Sequence, residues 1–167
     1  FFGALSFILL VGVTIPYAIA IIKGRAKPAR STRILFFLLM TATFVVQSRS
    51  FTSWALALTV AEVISQFTLL ILSVKYGLGG LKRLDMWSYG LFIVAIIGYI
   101  LTGETLVGLL LLSMADLVAF IPTLVKNWRD PSTDTPLFYI IGGIAPALSI
   151  LAASSYTDLN QLIVPAY

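Results

Sequence analysis

From Phe1 to Ile22 the chain carries no charged side chain, and five more apolar runs follow at short intervals. They cover residues 34–48, 51–74, 86–102, 105–125 and 137–154, and the runs 51–74 and 105–125, third and fifth of the six, are interrupted once each, by Glu62 and Asp116. A helix needs about 20 apolar residues to cross the hydrocarbon core of a bilayer. Runs of this kind have no place in a water-soluble domain, whose surface would demand about 25% charged residues; this chain has 11%, with a mean hydropathy of +1.01. A further apolar stretch begins at Leu162-Ile163-Val164. The expected fold class is an all-α integral membrane protein of six full transmembrane helices plus the start of a seventh, which the chain leaves unfinished.

The residue types that are missing narrow the chemistry. With no Cys and no His among the 167 residues, the usual zinc sites, thiolate nucleophiles and imidazole acid–base pairs are excluded. No nucleophile–base set remains, so no enzymatic activity, cofactor or metal is expected.

Charge placement sets the orientation. Lys23, Arg25, Lys27, Arg30 and Arg33 follow the first run, Arg49 the second, Lys75, Lys82 and Arg83 the third, and Lys126 and Arg129 the fifth. Ten of the eleven basic residues therefore fall in alternate loops. The positive-inside rule puts those loops in the cytoplasm and the N-terminus outside, across the plasma (inner) membrane. Loop residues account for the net charge of +4, and no nucleic-acid partner is expected. The 23–33 segment is expected to be a loop that touches anionic lipid.

A repeat underlies these loops. Lys23-Gly-Arg-Ala-Lys-Pro28 and Lys126-Asn-Trp-Arg-Asp-Pro131 share a Lys-x4-Pro frame at an offset of 103 residues. At that offset Thr32 falls on Thr135, Ala42 on Ala145 and Thr43 on Pro146. A three-span unit followed directly by its copy would be inverted, and one additional span makes the two parallel. The expected plan is a first three-helix repeat over 1–76, a hinge (Gly77, Gly79, Gly80) and linker helix over 77–103, and a second repeat over 104–167, incomplete at its third helix. Parallel repeats about the membrane normal are a known transporter design.

The segments Ile15-Pro16-Tyr17 with Lys23 to Pro28, and Asp116 through Ile121-Pro122-Thr123, Lys126 and Pro131, resemble the SWEET/PQ-loop superfamily of small transporters, nearest to a bacterial branch of short members. The likeness covers nearly the whole chain, although Pro16-Tyr17 and Pro122-Thr123 stand where that family has Pro-Gln. It implies a 3+1+3 helix plan, alternating access, and proline hinges at Pro16, Pro122 and Pro146.

Glu62 and Asp116 are the only charges well inside the apolar runs. A charge at that depth costs about 2.5–3.5 kcal/mol on insertion scales, and residues that remain there usually face a bundle interior and relay protons or substrate. Ser113 lies one turn before Asp116 and Gln66 one turn after Glu62, each within reach along one helix face. With Thr43 these residues form the candidate solute or proton pathway. Gln47, Thr41 and Ser65 are polar as well and are expected mainly to bond their own backbone. Trp54, Trp87 and Trp128 fall at span ends, as an interfacial belt requires, and Gly3, Gly12, Gly108, Gly142 and Gly143 are expected to permit close helix packing. The functional expectation is facilitated or proton-linked movement of a small polar solute by alternating access, by a lipid-embedded chain that can form a homodimer. The competing expectation is a non-transporting SWEET-like subunit held by partners in a larger membrane complex.

Overall fold

The computed structural model describes residues 2–49, 56–79, 83–129, 136–151 and 159–166. Seven helices lie within them: α1 (Phe2–Ile22), α2 (Arg30–Ser48), α3 (Leu56–Tyr76), α4 (Arg83–Thr102), α5 (Thr105–Arg129), α6 (Pro136–Ile150) and α7 (Leu159–Ala166). Among the described residues the only β-type pairing is an isolated bridge between Ala29 and Leu78. The helices α1 to α5 are each long and apolar enough to cross a membrane. The sixth expected span is seen as a helix of 15 residues, about 22 Å at 1.5 Å per residue; residues 152–158 lie outside the described set.

The distribution of side chains is inside-out. Ser6, Thr14, Thr43, Gln47, Thr59 and Ser113 are buried, while Ile8, Ile15, Phe67, Ile71, Ile100 and Leu101 face outward. In water such a surface would far exceed the apolar patches that a monomer tolerates. In hydrocarbon it costs nothing, and the polar groups inside supply the interhelical bonds that hold a bundle together.

Helix order follows from which faces are buried. On α1 the buried stripe is Gly3, Ser6, Leu10, Val13, Thr14, Tyr17 and Ile21, a 3–4 spacing that defines one face. That face meets α3 and α6. α2 is buried on two sides because it lies between α3 and the α4–α5 pair. Contacts run from α1 to α3, α2, α5, α7 and α6 and back to α1, with α4 outside this ring against α5 and α2. The largest apolar core joins Leu35, Leu39 and Val46 of α2 to Ala95 of α4, Leu109, Leu112 and Ala115 of α5, and Val164 of α7.

Beyond Ile22, Gly24 N–H donates to Ile21 O and Arg25 N–H to Ala20 O, a Schellman closure that satisfies the last carbonyls of α1. The chain then runs beside the end of α3: Leu78 N–H donates to Pro28 O and Arg30 N–H to Leu78 O, both at 3.0 Å. The backbones approach so closely that a Cβ on Gly77 would stand 2.7 Å from Pro28 O and would also strike the Ser73 carbonyl. Only glycine fits there.

Two sequence expectations are corrected. Residues 30–33 are not loop: they form the first turn of α2, and Arg33 is buried while Lys23, Arg25, Lys27 and Arg30 are exposed. The cause is local, since the buried face of the α2 apolar run continues one turn upstream through Ser31, Thr32 and Arg33, which all find neutral or carboxyl partners. The glycines also divide. Gly3 is buried, and a Cβ on Gly108 would meet the Tyr99 ring at 2.7 Å, whereas Gly12, Gly142 and Gly143 have open space where a side chain would go. These three are not close-packing positions: Gly12 and Gly143 lie on the outward side of α1 and α6, and the half-buried Gly142 has no neighbour within reach of a Cβ.

Candidate functional site

The interior polar groups are arranged by depth. Farthest from the 23–29 turn, Thr59 Oγ1 of α3 donates to Gln47 Oε1 of α2 at 2.6 Å. On the α1 side of α3, Thr14 Oγ1 bonds Ser65 Oγ at 2.8 Å, and Ser6 Oγ ties α1 to α6 by donating to Ala145 O at 2.7 Å. Gln47 and Ser65 therefore cross-link helices rather than serve their own backbones. Thr41 does bond its own helix, donating to Phe37 O one turn back.

Glu62 and Asp116 lie within electrostatic reach of each other. Glu62 lies in the second described turn of α3 and Asp116 near the middle of α5, and the two carboxyls interact electrostatically. Val63, beside Glu62, packs against the apolar cluster that joins α2 to α4, α5 and α7, so this part of α3 borders that core. Glu62 Oε2 is buried with no hydrogen-bond partner, and Asp116 Oδ1 is also shut away from solvent. Ser113 is buried one turn before Asp116, and Thr43 is buried on α2, the helix between the two acids' helices. An acid pair in a dry interior can hold, pass or exchange a proton, or grip a solute hydroxyl or cation.

Gln66 does not serve Glu62. Its Oε1 accepts from Arg33 Nη1 at 3.2 Å, while Arg33 Nη2 donates to the Tyr17 hydroxyl at 3.0 Å. The guanidinium also lies 5.4 Å from the centre of the Tyr17 ring and 5.9 Å from that of Phe36. Arg33 thus ties α1, α2 and α3 together at one end. Its signal was available in the sequence: Arg33, Phe36, Met40, Thr43 and Gln47 recur at spacings of three and four and form one buried face of α2.

The expected hinges are spread out. α1 continues through Pro16, which is exposed, and α6 through Pro146. Pro122 falls within α5, and its side chain lies outside the described residues. Each of the first two has a glycine four residues earlier, Gly12 and Gly142, at the carbonyl whose partner a proline removes. Trp87 and Trp128 are 73% and 89% exposed near helix ends, and Trp54 lies outside the described residues. Among the described residues no group of three or more metal-ligating side chains occurs.

Comparison with protein-family models, with curated proteins and with solved structures gave no match.

Proposed function

We propose that this protein moves a small polar solute across the plasma (inner) membrane by alternating access, linked to proton movement through Glu62 and Asp116. The observation that carries the reading is that two carboxyls, each with one oxygen enclosed, stand within electrostatic reach of each other from α3 and α5, helices of the two proposed halves. Glu62 Oε2 is enclosed without a hydrogen-bond partner, so this oxygen takes no part in tying helices together.

The repeat plan, SWEET-like in its 3+1+3 order, is supported by the contacts. α3 lies against both α1 and α2, α7 lies against both α5 and α6, and α4 stays outside as the linker. In this reading the halves meet where α1 touches α6 and α2 touches α5, and they rock about the acid pair. Pro16, Pro122 and Pro146 act as hinges. Kinks form most readily at proline, and glycine loosens the same turn, which the Gly-x3-Pro spacing in α1 and α6 provides.

The test is uptake of labelled polar solutes into proteoliposomes with and without an imposed proton gradient. Asp116→Asn and Glu62→Gln keep the helical circular dichroism and the gel-filtration profile but lose gradient-driven uptake. Wild-type uptake rates in either variant would remove the proton link. Absence of uptake together with stoichiometric co-purification of another membrane protein would replace the transporter by a subunit of a larger complex.

A further inference from the structure

Arg33 is a buried cation that the acid pair does not explain. It is 7% exposed, and both of its hydrogen-bond partners are neutral: the Gln66 side-chain carbonyl and the Tyr17 hydroxyl. Two aromatic rings complete its surroundings. Among the described residues no carboxylate pairs with it. Asp85, the carboxyl that reaches the start of α2, is engaged by Ser31 and Thr32, which precede Arg33 on the helix and face α4 instead.

Burying an uncompensated charge costs several kcal/mol even after relaxation, and a guanidinium carries its charge permanently. Neutral acceptors and ring faces offset part of that cost. A chain that needed only to tie α1 to α3 at this depth could do so with a glutamine or a serine. What a guanidinium adds is a planar fork of donors matched to the two oxygens of a carboxylate. Here that fork is split, one terminal nitrogen bonded to α1 and the other to α3.

We infer that Arg33 is the anion-binding group of the solute pathway and that the solute is a small monocarboxylate, which takes the Arg33 fork from Tyr17 and Gln66. This rests on the reading that the bundle moves a solute. Exchange of two bonds to neutral acceptors for two parallel bonds to a carboxylate, in which both partners are ionised, favours the bound state. It also unties α2 from α1 and α3 at this end, so binding and opening become one event. Glu62 stands one turn from Gln66, about 6 Å along α3. The exposed Lys23, Arg25, Lys27 and Arg30 suit lipid phosphate; Arg33, enclosed by three helices, suits a solute that enters between them.

The experiment is thermal unfolding of the purified full chain in detergent, followed by circular dichroism. Sodium acetate, propionate and benzoate are titrated against sodium chloride at equal ionic strength, with propionamide and benzamide as neutral matches. Carboxylates raise the midpoint and the amides do not. Arg33→Gln raises the half-saturating concentration by about tenfold or more, and Arg33→Lys, which keeps the charge but not the fork, falls between. Tyr17→Phe and Gln66→Leu remove the competing acceptors and lower the half-saturating concentration, a gain that a merely structural Arg33 would not give and that does not depend on Arg33→Gln folding. Amides that match the carboxylates, an undiminished response in Arg33→Gln, or a shift produced only by added phosphatidylglycerol would each overturn the inference. Carboxylate binding without flux in proteoliposomes would remove the transport reading and leave the anion site standing. Flux of neutral solutes by a chain that binds no carboxylate would do the reverse.

Discussion

Gln47 shows what a polar side chain gains by being buried in this bundle. Its Oε1 accepts from Thr59 at 2.6 Å between two helices, and both residues are almost wholly enclosed. Hydrogen bonds between membrane helices average about 0.6 kcal/mol, with a maximum near 1.7, because the separated helices also find partners. A double-mutant cycle with Gln47→Leu and Thr59→Val is expected to give a coupling energy of about 0.5–1.5 kcal/mol, read from unfolding in mixed detergent micelles. Strict additivity would mean that the two groups do not bond. The sequence shows Gln47 as a polar residue in an apolar run, but its partner depends on the register of α2 against α3, which no local pattern encodes. For Arg33 the same blindness had a larger effect. A charge at the edge of an apolar run reads as loop, and its acceptors Tyr17 and Gln66 become visible only when three helices meet. The acid pair was more legible, since two lone carboxyls in uncharged spans mark themselves; their proximity was not, because α3 and α5 are joined only through the fold.

Elements are fixed here less by propensity than by what each face meets. α4 is the extreme case: only 17% of its spanning window is buried, so most of its surface is left for lipid. Two local devices hold it. Near its start, Ser31 Oγ and Thr32 Oγ1 of α2 donate to Asp85 at 2.8 and 3.3 Å, and the Tyr89 hydroxyl donates to Ser31 O at 2.9 Å. Further along, Gly98 and Gly108 let α4 and α5 approach until an added Cβ would meet the Leu111 and Tyr99 side chains at 2.7 Å. Asp85→Ala is therefore expected to lower stability by about 1–3 kcal/mol and to speed amide hydrogen exchange in the first turns of α4. Exchange near Gly98 keeps its wild-type rate. Trp87→Ala, which alters an exposed residue two positions on, leaves both quantities unchanged. An Asp85→Ala protein as stable as wild type would show that the α4–α5 contact alone holds the helix. Helix boundaries were readable from charge to within about a turn; α2 begins about a turn before its apolar run, because its first turn is polar and buried together, and α5 runs about a turn beyond its own.

At the scale of the molecule, parity decides which segments share a face of the membrane. The 23–29 turn and residues 77–79 lie at the same end of the bundle, since Pro28 and Leu78 exchange backbone contact there. The turn at 103–104 follows one more helix and must lie at the other. This relation comes from the fold, whereas which end faces the cytoplasm comes from the distribution of Lys and Arg; one experiment separates the two. The absence of cysteine from the sequence makes the wild-type chain a clean background, and Arg25, Gly79 and Glu104 are all exposed. Single substitutions Arg25→Cys, Gly79→Cys and Glu104→Cys are treated with a membrane-impermeant maleimide in intact cells and again after the membrane is opened. Glu104→Cys is expected to react in intact cells, and the other two only after opening. If Arg25→Cys and Gly79→Cys react from opposite faces, the bundle as described is wrong, because no rotation of it can separate segments that share backbone hydrogen bonds. If all three report the reverse sidedness, the bundle stands and the orientation inverts, and Arg33 then takes its carboxylate from the outside rather than from the cytoplasm.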